Sequence, residues 1–261
     1  MRPTPVLAAL LAALLAGSAA ADEESARVRK LLDGTSLDDF RHALALCERR
    51  LAREPDHYEA HLGASVALTQ ELALRTNGNL PLVDGLQDGA ENRARWSAMA
   101  PRALDHARRA LALRPTSIEA AAAVATSYMF QAASLGIVSA ALGGAAGEYR
   151  EHAQRLIDLE PTYEGALGHY MLASFYLVAP WPVSDDAASR EHYAKAVALA
   201  PDSVRNRYGL GVYWARRGDA ERARPEFERA VALPCVARTD RILCAFLKRT
   251  SKEVLSSLGS G

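Results

Sequence analysis

His57 and His61 stand one helical turn apart in DHYEAH, a spacing that can bring two imidazoles to one metal ion. The glutamate lies between them at Glu59 instead of directly after the first histidine, so the HExxH arrangement of metalloproteases is not met. No third ligand is indicated nearby, and the pair reads as a solvated helix face with no metal. His42, His106, His152, His169 and His192 occur singly in helical context and read as surface or boundary residues. Of the three cysteines, Cys47 falls on an inward face and reads as a small buried apolar side chain. Cys235 and Cys244 flank CVARTDRILC; if the residues between them are helical, the sulfurs stand about 13 Å apart along the axis, too far to bridge. Their pairing stays open, with the unpaired arrangement favoured. There is no G-x-S-x-G, no P-loop and no glycine fingerprint after a strand. The glycines of GALGH at 165–169 sit in helical context, and those of ALGGAAG follow no strand. No residue is put forward as catalytic, no cofactor is implied, and an enzyme is not expected.

The elements that would position these side chains are helices. Four segments end alike, in CERRLAREP, HARRALALRP, AQRLIDLEP and HYAKAVALAP, closing at Pro55, Pro115, Pro161 and Pro201; FERAVALP closes a fifth at Pro234. Proline lacks the backbone donor and clashes with the preceding turn, so each marks a helix stop before the next helix begins. Between Asp202 and Pro234, Leu210, Gly211 and Trp214 precede Gly218-Asp219, followed by Ala223, Phe227 and Ala230. Gly211 and Ala223 are small where two helices must approach, and Phe227 fills the gap between them. Tyr193, Ala196 and Pro201 repeat the second-helix spacing after Leu172, Ala173 and Tyr176. A plain array would keep ~34 residues between closing prolines. Here the interval lengthens toward the N-terminus. The surplus falls in LVAPWPVSD from Leu177, in GIVSAALGGAAG at 136–147, and in NGNLPLVDGLQDGAENR from Asn77.

These positions resemble the tetratricopeptide repeat, L-G-x-x-Y then A-x-x-x-F then a closing proline. The expected fold is all-α, a right-handed solenoid of TPR-like helical hairpins with inserted turns. The expected organisation is a cleaved signal peptide at 1–21, N-terminal helices with a degenerate repeat at 22–95, the repeat domain at 96–234, and capping helices and a tail at 235–261. From Trp96 to Pro234, RRALALRP, QRLIDLEPTYEGALGHYMLASFYL and SDDAASREHYAKAVALAP also resemble the T component (TatT-like) of TPR-associated TRAP transporters. That resemblance implies a periplasmic protein that oligomerises, docks a substrate-binding protein of the transporter and holds a hydrophobic ligand. The chain departs from it in lacking a lipid-anchor cysteine and in reading APWPVSDD at the long turn.

The N-terminal segment has one cation at Arg2, an apolar run from Val6 to Ala16, and small residues at Ala19 and Ala21 before Asp22. It reads as a secretory signal cleaved between Ala21 and Asp22, placing the mature chain in the periplasm or outside the cell. No later window suits a stable membrane span. Formal net charge is zero and the cations are dispersed, which excludes the clustered basic surface that nucleic acid requires. The expectation is therefore an exported interaction module that takes a partner protein, a peptide or an apolar ligand. The alternative is an envelope assembly scaffold acting by homo-oligomerisation through 136–147 without a small ligand. Pro180 and Pro182 bracket Trp181 and should hold it in a stiff extended loop, either folded back as a cap on the core or presented to a ligand or partner. Tyr176 and Trp214 are the other aromatics expected at such a surface.

Overall fold

The computed structural model of the protein describes residues 23–136, 139–140, 144–235 and 238–258. The expected signal segment with Ala21 and Asp22, much of the apolar part of 136–147, and the last three residues lie outside them. Helix α1 spans 23–32, followed by α2 (Leu37–Arg53) and α3 (Tyr58–Thr76). A two-stranded antiparallel hairpin, β1 (Pro81–Leu82) and β2 (Gly85–Leu86), precedes α4 (Ala90–Leu113) and α5 (Ile118–Ser134). Then come α6 (Ala145–Leu159), α7 (Tyr163–Val178), α8 (Asp186–Leu199), α9 (Val204–Ala215), α10 (Ala220–Ala232) and α11 (Arg238–Leu258).

The closing prolines act as the sequence predicts. Helices α2, α4, α6, α8 and α10 end at Arg53, Leu113, Leu159, Leu199 and Ala232; one capping residue follows each, then the proline. Each capping residue still donates its N–H back into the last turn, so the missing proline donor falls where no helical bond is due. Side chains of Ser117, Asp185, Ser203 and Asp219 accept the first free N–H groups of the following helices and restart the chain direction.

Successive helices pack as antiparallel neighbours, and α3 against α5 and α7 against α9 form an inner layer. The inner helices are apolar on most sides, as in EAAAAVA of α5, because they are covered by both layers. The outer helices α2 and α10 keep one apolar stripe. At the α9–α10 seam Leu210, Ala223, Phe227 and Ala230 are buried, and Tyr193 and Ala196 are buried one repeat earlier. A Cβ on Gly211 would meet three Phe227 ring carbons at 2.9–3.0 Å, so the small residue is required by the ring. The fold is an all-α solenoid.

Two features go beyond a plain array. The hairpin reaches across the concave side to α9, more than 120 residues away: the Tyr208 hydroxyl donates to Pro81 O at 3.1 Å, and Arg216 donates to Leu82 O at 2.8 Å and to Gly85 O. Leu80 is buried in the same cluster as Tyr170, Tyr208, Phe227 and Leu247. The C-terminal helix α11 touches both α3 and α7, joining the two ends of the solenoid.

Cys235 and Cys244 form a disulfide, with Cα atoms 5.8 Å apart, which corrects the unpaired arrangement favoured above. Helix α11 begins only at Arg238, so Cys235 lies outside it. The helical rise assumed between the sulfurs therefore does not apply. Cys47 is buried, and desolvation pushes its thiol up to about 12.

Replacing Arg216 with Ala removes two donors from hairpin carbonyls. We expect a loss of about 1–3 kcal/mol in urea unfolding, with amide exchange quickening at 80–87 before α5 is affected. Gly211→Val should cost roughly 1–3 kcal/mol through overpacking against Phe227, measured the same way.

Candidate functional site: a roofed chamber

The hairpin partly covers the concave face of the solenoid, leaving a half-open chamber of about 620 Å³. Small-molecule sites typically enclose ~300–1,000 Å³. Leu62 and Val66 of α3, Met129 of α5, and Leu167 and Met171 of α7 supply apolar wall, and Leu80, Pro81 and Leu86 supply roof. Tyr149 and Phe175 stack with centroids 5.5 Å apart at 25°, and the Tyr149 hydroxyl donates to Met171 O at 3.4 Å. Burial holds that phenol well above its ordinary value, so it stays a neutral donor. Among the polar atoms of the lining, Gln70 Oε1 and Asn79 Oδ1 are buried and accept no hydrogen bond from the protein.

Among the charged residues of the wall, Arg205, in the first turn of α9, is 4% exposed. It is held by backbone of unusual shape. Glu164, Gly165 and Ala166, at the start of α7, occupy the left-handed region in succession, with φ of 44°, 68° and 60°. Only glycine adopts this without strain, and each of the other two costs on the order of 1–3 kcal/mol. The turn is pinned where its carbonyls are bound: Arg205 Nη2 donates to Glu164 O (2.9 Å) and Gly165 O (3.0 Å), and Asn206 Nδ2 donates to Gly165 O (2.9 Å). Arg205 Nε donates to Asn206 Oδ1 at 3.4 Å, and its guanidinium lies 4.8 Å from the centroid of the Tyr170 ring.

The aromatics singled out in the sequence lie elsewhere. Trp181 is 88% exposed, so it does not cap the core. Its loop is a tight turn and not an extended arm: Val183 and Ser184 N–H both donate to Pro180 O, curling the chain so that the indole projects outward. Ala179 and Pro180 border the chamber, and Trp181 stands outside it. Tyr176 is half-buried and stacks on His192, centroids 6.2 Å apart. Trp214 packs edge-on to Tyr213 at 4.9 Å, with the Arg222 guanidinium 4.7 Å from its ring, on the C-terminal cluster. Arg205 carries no mark in the sequence, because the groups around it come from α7, 40 residues away. Ala140, Ala145 and Ala146, from the 136–147 insert and the helix it leads into, also line the chamber.

The histidines form pairs that sequence spacing did not suggest. His57 Nδ1 accepts Ala60 N–H at 3.2 Å and caps α3, while His61 faces His106 of α4 with Nδ1 atoms 3.0 Å apart. His61 Nε2 is 2.7 Å from Pro55 O and must donate, so His61 Nδ1 accepts from His106 Nδ1–H. His169 and His192 repeat the arrangement between α7 and α8 at 2.9 Å. Desolvation, then the paired histidine, holds both His106 and His169 down to about 4; Arg102 and Lys195 act in the same direction, against Asp105 and Glu191. Among the described residues no three His, Cys, Asp or Glu side chains converge as metal ligands, and no helix is long and apolar enough to cross a membrane.

The chain matches no protein-family model and no curated protein sequence. Its fold is similar to that of TTC0263, a thermophilic TPR protein of Thermus thermophilus. The TM-score is 0.57 at 15% identity, over 86% of this chain and 98% of that one. The MamA protein is similar with a TM-score of 0.47 at 16% identity, over 80% and 91%. The likeness to TTC0263 concerns the fold: this is a TPR-like solenoid.

Because His106 and His169 are depressed in the folded state, the unfolded chain takes up protons first as pH falls. Stability is full above about pH 6.5 and should decline toward pH 4. Thermal midpoints measured across that window should fall, and a His106→Asn, His169→Asn double variant should fall less steeply; an identical slope would remove the histidine pairs as the cause.

Proposed function

We propose that the protein is an exported binding module that encloses a small apolar-bodied ligand in its chamber and presents Trp181 to a partner protein. The observation that carries this reading is the roof: a concave TPR-like face is ordinarily open, and here a hairpin from α3–α4 is fastened across it. An open face suits an extended peptide; a roofed one suits a compact molecule. Export is supported by the signal-like residues up to Ala21 and by the Cys235–Cys244 disulfide, a bond that persists in oxidising compartments. On the resemblance to the TRAP transporter T component, the partner would be a periplasmic substrate-binding protein and the module an accessory of that transporter. No catalytic step is proposed.

Trp181 suits docking on physical grounds, since a large ring held outside the core contributes little to folding and much to a contact that covers it. A scaffold that assembles through 136–147 without a ligand would have no use for a roofed chamber.

The direct test is organic extraction of protein purified from its own compartment, followed by mass spectrometry. A stoichiometric apolar compound is expected, and an empty chamber in protein that still engages its partner would favour the scaffold. Trp181→Ala should leave the unfolding free energy within about 0.5 kcal/mol of wild type. It should weaken binding to a purified substrate-binding protein at least roughly tenfold, with the extracted compound unchanged.

A further inference from the structure

Resting on the chamber reading, we propose that the ligand is a long-chain monocarboxylate whose head is bound by Arg205 and whose tail lies along the apolar wall. Arg205 is almost wholly buried, and its side chain is held by an amide oxygen and two backbone carbonyls instead of by a carboxylate. Burying a cation is costly unless it is paired and hydrogen-bonded. Nε and Nη2 are occupied by neutral acceptors, Asn206 Oδ1 and the carbonyls of Glu164 and Gly165, which fix the plane of the guanidinium. Among the described residues Nη1 has no acceptor, and it is not one of the buried atoms without a partner. A planar guanidinium, oriented from behind and bordering an apolar chamber, is suited to an oxyanion.

The other cations of the lining do not offer this. Arg114 is paired with Glu59 at 2.5 Å and Arg50 with Glu54 at 3.0 Å. Arg29 is exposed. The acidic lining residues Glu24, Glu59, Asp88, Glu119 and Glu164 disfavour a polyanion, so a single negative charge on a mainly apolar body fits the wall best. Gln70 and Asn79 give the body polar contacts along its length. A volume of about 620 Å³, partly covered by the hairpin, is large enough for a small amphiphile.

Delipidated mature protein would be titrated with palmitate, methyl palmitate and hexadecyltrimethylammonium by calorimetry below their micellar concentrations. Palmitate should bind at least about tenfold more tightly than its ester, and the cation not at all. Across shorter saturated acids, affinity should rise about fourfold per methylene until the chamber is filled. Arg205→Gln should reduce palmitate to the level of the ester while leaving the ester unchanged, and Arg205→Lys should keep part of the preference. Because Arg205 also pins the left-handed turn, the comparison of acid and ester on the wild-type protein stands without any variant. Equal binding of acid and ester, or a preference surviving in Arg205→Gln, overturns the assignment of the head group and leaves the apolar chamber intact. No binding of either overturns the chamber reading together with it.

Discussion

A helical repeat buries one side of each inner helix against the outer layer, but leaves the concave side of the array uncovered. In this chain that side is rich in Leu, Val, Met and Ala, and its exposure would be unfavourable in proportion to area. The grip of Tyr208 and Arg216 on the carbonyls of Pro81, Leu82 and Gly85 resolves this. Hairpin carbonyls that could have faced water are bound by donors on α9 and at its C-terminal end, and Leu80 and Pro81 become buried with them. The contact joins segments more than 120 residues apart, so it can form only when the repeats between them are stacked. Closure therefore depends on the whole superhelix having its proper pitch, and the chamber depends on closure.

Much of the architecture was legible because it is local. A proline one residue past a cap stops a helix whatever lies beyond, and Gly211 with Phe227 reports a seam between consecutive helices. The inserts were legible as departures from a period. What they touch was not: residues 77–89 carry no sign that they will meet Tyr208 and Arg216, since these donors are ordinary members of a helix pattern. The disulfide was not legible because the start of α11 decides it, and helix boundaries are among the least defined features of a sequence pattern. The histidine pairs were not legible for the same reason as Arg205, each partner being contributed by another helix, 45 residues away for His61 and 23 for His169.

The start of α7 shows how local strain and site geometry are coupled. Pro161 ends the preceding helix, and the chain must then turn through three left-handed residues before α7 proper can run. That conformation is unfavourable by itself and persists because Arg205 and Asn206 bind its carbonyls. The same bonds orient the guanidinium, so the strain is offset by the group it positions. A cation held this way cannot relax toward solvent, which distinguishes it from the surface arginines with their carboxylate partners.

The molecule thus separates two kinds of contact by surface. The interior offers a partly covered, mainly apolar volume in which Arg205 is held by neutral acceptors, and on the reading proposed above it would select by size and head-group charge. The outside offers a curled turn with an exposed indole, whose backbone borders the chamber at Ala179 and Pro180. Ala179 and Pro180 line the chamber directly before Trp181, so on the proposed reading ligand and partner would share a short stretch of α7 and its following turn. In a solenoid, where each hairpin contacts only its neighbours and long-range order comes from stacking, such a shared segment is the shortest physical route by which the content of the chamber could alter the surface a partner meets.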